Sequence, residues 1–285
     1  MVFIHGGGFQ DGMGATHDGS LLAAWNDVVV VVMNYRLNVF GFLSTGDSVI
    51  PGNFGLWDQK LALEWVRDNI ADFKGDNSKI TIFGESAGGF SVGYQMLSPR
   101  NDRKLFQKAI AMSGTGFSLP HYMRKTLKMS EEYLKILNCS KSDVKCVRSK
   151  TTEELTAANT KMNKLMVDMA FYPVVDGDFL PYDPEELYLD FVMKGYQAVA
   201  AKIGDFNRYD YMTGFTSDEL GDFGFAMPSE MFLEDMSENP YKMNLATNIT
   251  EAYYLSEHDI HTSNSSEEKK ISLARIRRGS KCVGD

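Results

Sequence analysis

Gly84-Glu85-Ser86-Ala87-Gly88 has the spacing G-x-S-x-G, with a strand-like Ile80–Phe83 before it and a helix-like Ala87–Leu97 after it. A serine at a sharp strand-to-helix turn sits in a strained backbone, and side chains two residues to either side would collide. Glycines at both flanks remove the collision and leave the Ser86 hydroxyl exposed at the carboxyl edge of a sheet. The N–H groups that open the following helix then face any charge developing on a substrate carbonyl oxygen. The competing reading is a glycine-rich turn with an incidental serine. His5-Gly6-Gly7-Gly8-Phe9 weighs against it. This run follows an apolar stretch upstream, and its three glycines let backbone N–H groups face a ligand unobstructed. A loop of this type pairs with the N–H of the residue after the nucleophile, here Ala87. His5 itself reads as a structural loop residue.

These groups must be held by a scaffold, and the chain has the length for one. With 285 residues, 44% hydrophobic and 24% charged, it is an ordinary globular sequence. Its 29 basic and 38 acidic residues give a net charge of −9, which argues against a nucleic-acid or anionic-membrane binder, since that would need a basic face. The longest apolar run, Val28 to Met33, falls far short of the ~20 residues that span a bilayer. Three cysteines make at most one internal bridge, and no Cys or His spacing suggests a metal. No cofactor is expected.

Val28–Met33 is a continuous apolar run, β-branched from Val28 to Val32, as a strand buried on both faces would be. Gly55 to Phe73 has helical spacing, with Leu61/Trp65 and Ala62/Val66/Ile70/Phe73 on one side and Asp58, Lys60, Glu64, Arg67 and Asp68 on the other. Lys79–Phe83 and Ala109–Met112 read as strands, Leu119–Leu165 as helical, Pro173–Pro184 as loop and Tyr209–Phe215 as a further strand. This alternation predicts an α/β fold with a mostly parallel sheet in one domain. Met1 leads straight into Val2-Phe3-Ile4 with no basic leader, and the chain stops at Gly284-Asp285. The expectation is an internal piece of a longer protein; a genuine short protein with a trimmed sheet is the alternative.

Val2–Phe9 (VFIHGGGF), Asn34–Leu43 (NYRLNVFGFL), Gly52–Asn69 (GNFGLWDQKLALEWVRDN), Ile82–Gly89 (IFGESAGG) and Pro173–Pro181 (PVVDGDFLP) resemble the type-B carboxylesterase/lipase family of carboxylesterases, cholinesterases and bile-salt-activated lipases. The resemblance covers nearly the whole chain, with the motifs in order. It implies an incomplete α/β-hydrolase domain over 1–285 and a Ser–Glu(Asp)–His triad. Ser86 takes the nucleophile position, and the N–H groups of Gly7, Gly8 and Ala87 take the oxyanion hole. The acid falls in Gly214–Glu219 and is placed on Glu219, with adjacent Asp218 as its competitor. The family histidine lies in a G-x-x-H context downstream of the acid. Only His258 and His261 follow Glu219, in SEHDIH with no glycine nearby, so the catalytic histidine is not recognised in this chain.

By the same resemblance Cys139 and Cys146 form a small disulfide loop, which implies a secreted or endoplasmic-reticulum location; three reduced cysteines are the alternative. Asn248-Ile249-Thr250 and Asn264-Ser265-Ser266 have the form of glycosylation acceptors. The acyl pocket would involve Phe117, Leu119 and Pro120, then Val167 and Met169 before Pro173, with Phe223 in a stretch (Tyr209–Pro228) similar to bile-salt-activated lipases. Cholinesterases place a tryptophan in the first of these stretches and this chain has none, so a broad pocket for longer acyl chains is favoured. Glu85 either adds negative charge beside the site, ordering water or Ser113, or is a plain helix-start carboxylate. The expected activity is hydrolysis of small-molecule or lipid esters through an acyl-enzyme on Ser86, and with no recognised histidine the 285-residue chain alone is expected to be inactive. The alternative is a catalytically silent cell-surface relative, against which the intact Ser86 and oxyanion glycines count.

Overall fold

The computed structural model describes residues 1–116, 120–165, 171–204 and 208–216. Met1–Gly214 forms one compact unit; of a second unit, Phe215–Asp285, only Phe215 and Thr216 are among the described residues. In chain order the regular elements are β1 (Val2–Ile4), α1 (Ser20–Asn26), β2 (Val31–Val32), α2 (Asn38–Phe42), α3 (Phe54–Asn69), β3 (Thr81–Glu85), α4 (Ala87–Leu97), β4 (Lys108–Met112), α5 (Pro120–Ile136), α6 (Val144–Arg148), α7 (Thr152–Leu165), α8 (Pro184–Lys194), α9 (Tyr196–Ile203) and β5 (Asp210–Gly214). The strands form one sheet in the order β2-β1-β3-β4-β5, every pair parallel. Consecutive parallel strands need crossovers, and the helices between them supply these, giving the expected α/β architecture.

β1 is buried at all three positions and lies between β2 and β3, so His5-Gly6-Gly7-Gly8 emerges from the middle of the sheet. β3 begins two residues later than Lys79 and runs to Glu85, with Glu85 opposite Met112 of β4. The loop after β1 and the turn after β3 therefore leave neighbouring strands at the same sheet edge.

Only Val31 and Val32 of the Val28–Met33 run join the ladder, and Val32 is exposed. The run was expected to be buried on both faces. Among the described residues it is an edge strand, with no neighbour beyond it to complete the burial. β5 occupies the other edge and is exposed along its whole length.

α3, continued by a 3-10 turn over Ile70–Phe73, fills the span expected of it, but only Val66 and Ile70 of the expected apolar side are buried. Leu56, Gln59, Leu63, Val66 and Ile70 are buried, whereas Leu61, Trp65 and Phe73 are exposed. At 100° per residue, Leu61 and Leu63 point in nearly opposite directions, and the stripe through Leu63 is the one that meets the protein. A buried polar chain joins α3 to α4. Gln59 Nε2 donates to Ser91 Oγ at 3.0 Å, Gln95 Nε2 donates to Gln59 Oε1 at 3.1 Å, and Asn101 Nδ2 donates to Gln95 Oε1 at 2.8 Å. Leu63→Ala is expected to cost ~2–5 kcal/mol, and Leu61→Ala within ~0.5 kcal/mol of nothing. Urea unfolding of the two variants checks which stripe faces inward.

Cys139, just after α5, is disulfide-bonded to Cys146 of α6 with Cα atoms 5.6 Å apart, and Asp143 caps α6 by accepting the Cys146 N–H at 3.0 Å. The reduced alternative is thereby set aside for these two; Cys282 lies outside the described residues. Helices α1, α2, α8 and α9 were not anticipated from sequence. The last two pack through Leu187, Val199 and Ile203 with Leu97 of α4.

Candidate active site

Ser86 stands between β3 and α4 with φ 55° and ψ −122°, a backbone conformation that costs a non-glycine residue on the order of 1–3 kcal/mol. Its position is pinned from both sides. Ser86 N–H donates to Met112 O of β4 at 2.9 Å, and Ser86 O accepts the Phe90 N–H at 2.9 Å as α4 begins. Close approach explains the flanking glycines. A Cβ on Gly88 would stand well under 3.0 Å from Ile4 O, and one on Gly84 would stand 2.5 Å from Gly88 O. The first turn of α4 thus lies directly on the end of β1, and Ala87 is fully buried at its start. Ala87, Gly88 and Gly89 N–H groups precede the first intrahelical bond, so they form the positive end of the helix beside the Ser86 hydroxyl.

The loop from β1 closes over this turn. A Cβ added to Gly6 would lie 2.6 Å from Glu85 O and 3.2 Å from Ser86 Cβ. Gly7 and Gly8 follow with φ of 103° and 62°, and Gly7 O accepts the N–H of Gln10 at 3.0 Å and of Asp11 at 3.2 Å. This tight turn uses the Gly7 carbonyl internally and requires a left-handed backbone. The Ser113-Gly114 turn closes the other side, since a Cβ on Gly114 would meet Ser86 O at 2.7 Å.

His5 is 1% exposed. Its Nδ1 makes a 2.8 Å hydrogen bond with Gly6 O, its ring stacks on Tyr35 at 4.5 Å, and Tyr35 Oη donates to its carbonyl at 2.8 Å. Because a carbonyl only accepts, the hydrogen sits on Nδ1. Burial also pulls this imidazole below its usual pKa. The ring is spent on holding the loop, as expected of a structural histidine. His17 is occupied by Thr16 Oγ1 and the Phe3 ring.

Of the residues singled out from sequence, the structure brings Gly7, Gly8, Ser86 and Ala87 to one sheet edge. Glu85 is exposed at the end of β3. Phe117, Leu119, Val167, Met169, Asp218, Glu219, Phe223, His258 and His261 lie outside the described residues, and Pro120 opens α5. Beside the oxyanion loop, Gln10 lines a mostly apolar groove of about 410 Å³ with Tyr35, Leu37, Val39, Phe40 and Thr156. Sequence reasoning missed Tyr35 as the support of His5, and it missed the left-handed Phe9 (φ 62°). An aromatic residue directly after a glycine run was the only available signal. Among the described residues no group of side chains could hold a metal ion, and no helix is long and apolar enough to cross a membrane.

The Carboxylesterase family sequence model matches residues 1–278. Carboxylesterase 1E of Mus musculus is 41% identical over 244 residues, covering 81% of this chain and 40% of that protein. Neuroligin-2 of Mus musculus is likewise 41% identical over 223 residues, covering 77% of this chain and 25% of that protein. The chain therefore spans well under half the length of these relatives. Among solved structures, the Geobacillus stearothermophilus carboxylesterase EST55 superimposes with a TM-score of 0.68 at 33% identity, over 96% of this chain and 56% of that one. Parallel sheet, strand–serine–helix turn and glycine loop agree with these likenesses, and the chain belongs to the carboxylesterase family.

Proposed function

We propose that the chain carries the nucleophile and oxyanion hole of a serine hydrolase acting on carboxylic esters, within one α/β-hydrolase domain. The observation that carries this reading is the strained Ser86 at the strand-to-helix turn, with the Gly6–Gly8 loop closed over it. Ser86 Oγ attacks the ester carbonyl carbon and the C=O electrons move onto oxygen. That oxyanion meets the N–H groups of Gly7, Gly8 and Ala87. The tetrahedral species collapses to an acyl-Ser86 and releases the alcohol, and water then repeats the sequence to free the acid. The hydroxyl proton passes to a triad histidine, which is not recognised in this chain, and from it to the departing alcohol; Glu219, or Asp218, would hold that histidine, and both carboxylates lie outside the described residues. Phe117, Leu119, Val167, Met169 and Phe223 remain proposed pocket residues, and Glu85 a proposed charge at the pocket's edge.

The substrates we propose are carboxylic esters of small molecules or lipids. The Cys139–Cys146 bridge supports a secreted or endoplasmic-reticulum location. The match to Neuroligin-2 favours a second reading, a catalytically silent binding relative. The serine and its donors distinguish the two, because a silent protein has no need to maintain them together.

Hydrolysis of p-nitrophenyl acetate and butyrate, with the triad histidine supplied, tests the proposal, and Gly7→Val is the informative variant. Gly7 has φ 103°, and a Cβ there would run into Asp11 O, so valine displaces the loop. One misplaced oxyanion donor should lower kcat by on the order of 10²-fold, ~3 kcal/mol, with KM nearly unchanged. A change confined to KM would show that the loop binds substrate without stabilising the transition state.

A further inference from the structure

We infer that Phe9 is the positioning residue of the oxyanion loop, its buried ring holding the Gly7 and Gly8 N–H groups in register with Ser86. The role of those groups rests on the hydrolase reading above; the anchoring itself does not.

Three consecutive residues, Gly7, Gly8 and Phe9, have φ of 103°, 62° and 62°. Glycine adopts such values freely, but a phenylalanine there is strained and needs a compensating interaction. Phe9 has one. It is 0% exposed, with its ring edge-on to Phe42 at 5.1 Å and to Tyr172 at 6.0 Å. Its carbonyl accepts the Asn38 N–H at 2.7 Å, and Asn38 is itself left-handed at φ 53°. Both ring partners are fixed from elsewhere. Phe42 is fully buried in α2, and Tyr172 N–H donates at 2.9 Å to Thr126 Oγ1 of α5.

The loop would otherwise be a run of glycines with a large conformational freedom to lose. Its N-terminal end is fixed by β1, but Gly7 and Gly8 have no side chains with which to fix themselves. The next residue does it for them, with one ring and one carbonyl. Donors that must meet an oxyanion without reorganising depend on such anchoring, since a displacement of ~1 Å can cost on the order of 10²-fold in rate.

The test compares Phe9→Ala, Phe9→Gly and Phe9→Leu by site-resolved hydrogen exchange and by ester turnover. The informative amides are Gln10 and Asp11, which donate to Gly7 O, and Asn38, which donates to Phe9 O. In both the alanine and the glycine variant these should exchange at least ~10-fold faster, while the β3 and β4 ladder amides keep their protection. Turnover should show kcat lowered by ~10-fold or more with KM little changed, and leucine should restore part of both losses. Phe9→Gly is the sharpest arm, because it removes the backbone strain together with the ring. Wild-type exchange and kcat in Phe9→Gly would overturn the proposal, and so would loss of ladder protection in both variants, which would make Phe9 a general core residue. Turnover is read with the triad histidine supplied; if the wild-type protein then shows no Ser86-dependent turnover, the hydrolase reading fails, while the exchange arm still decides whether Phe9 anchors the loop.

Discussion

Where the triad histidine is supplied, Ser86→Ala is expected to lower ester turnover by on the order of 10⁵–10⁶-fold, to the background left by oxyanion donors and binding alone. The substitution removes a single oxygen. Alanine inherits the same strained turn, and the two backbone bonds that pin residue 86, to Met112 O and from Phe90 N–H, do not involve the side chain. Stability should therefore change by no more than ~0.5 kcal/mol, as for a surface substitution. Paired kinetics and thermal unfolding separate the two effects. An alanine variant that is inactive because it is unfolded would disagree with the geometry, and one that still turns over would remove Ser86 from the chemistry.

Gly88→Ala should have the largest effect on folding. The added methyl would be driven into Ile4 O, with the Ile4 and His5 carbonyl carbons behind it at 2.9 and 3.1 Å. These neighbours are backbone, in the most buried strand of the sheet, so no side chain can swing aside. Relief requires α4 to lift from β1, which would also break its contacts over Gly84 and displace Ser86. The expected cost is above ~3 kcal/mol, beyond the usual range for overpacking by a methylene. Denaturant unfolding, or loss of soluble protein on expression, gives the readout. Near-normal stability would mean that the helix does not lie on β1 as closely as the structure has it.

The elbow was legible in the sequence because its strain leaves a mark: only glycine tolerates the approach of β1 and α4, so the chemistry and the glycines appear together around Ser86. α4 begins and ends where its pattern placed it, at Ala87 and Leu97. The inner face of α3 was legible only at Val66 and Ile70. Spacing groups Leu61 and Trp65 with other apolar residues, but nothing local says which stripe will meet Ser91 and Gln95, more than twenty positions along the chain. Val28–Met33 failed differently. Composition announces a strand but not its place in the sheet, and only two of its residues pair. Helices α1 and α2 are too short for a periodic signal to build up. The left-handed Phe9 was invisible for the most instructive reason: its backbone is set by Phe42 and Tyr172, rings brought to it only by the fold. Glu219, as the acid, still rests on resemblance alone.

The central claim is that Ser86 is a nucleophile held against oxyanion donors and activated once the triad histidine is supplied, and covalent labelling of the folded protein with that histidine in place tests it most directly. A fluorophosphonate reacts with serines that a hydrolase site has activated, and digestion followed by mass spectrometry locates the adduct. The account predicts one adduct per chain, on the peptide containing Gly84-Glu85-Ser86-Ala87-Gly88, with labelling much slower in Gly7→Val. A folded protein whose Ser86 stays unmodified, or whose adduct lies on another serine, would contradict it.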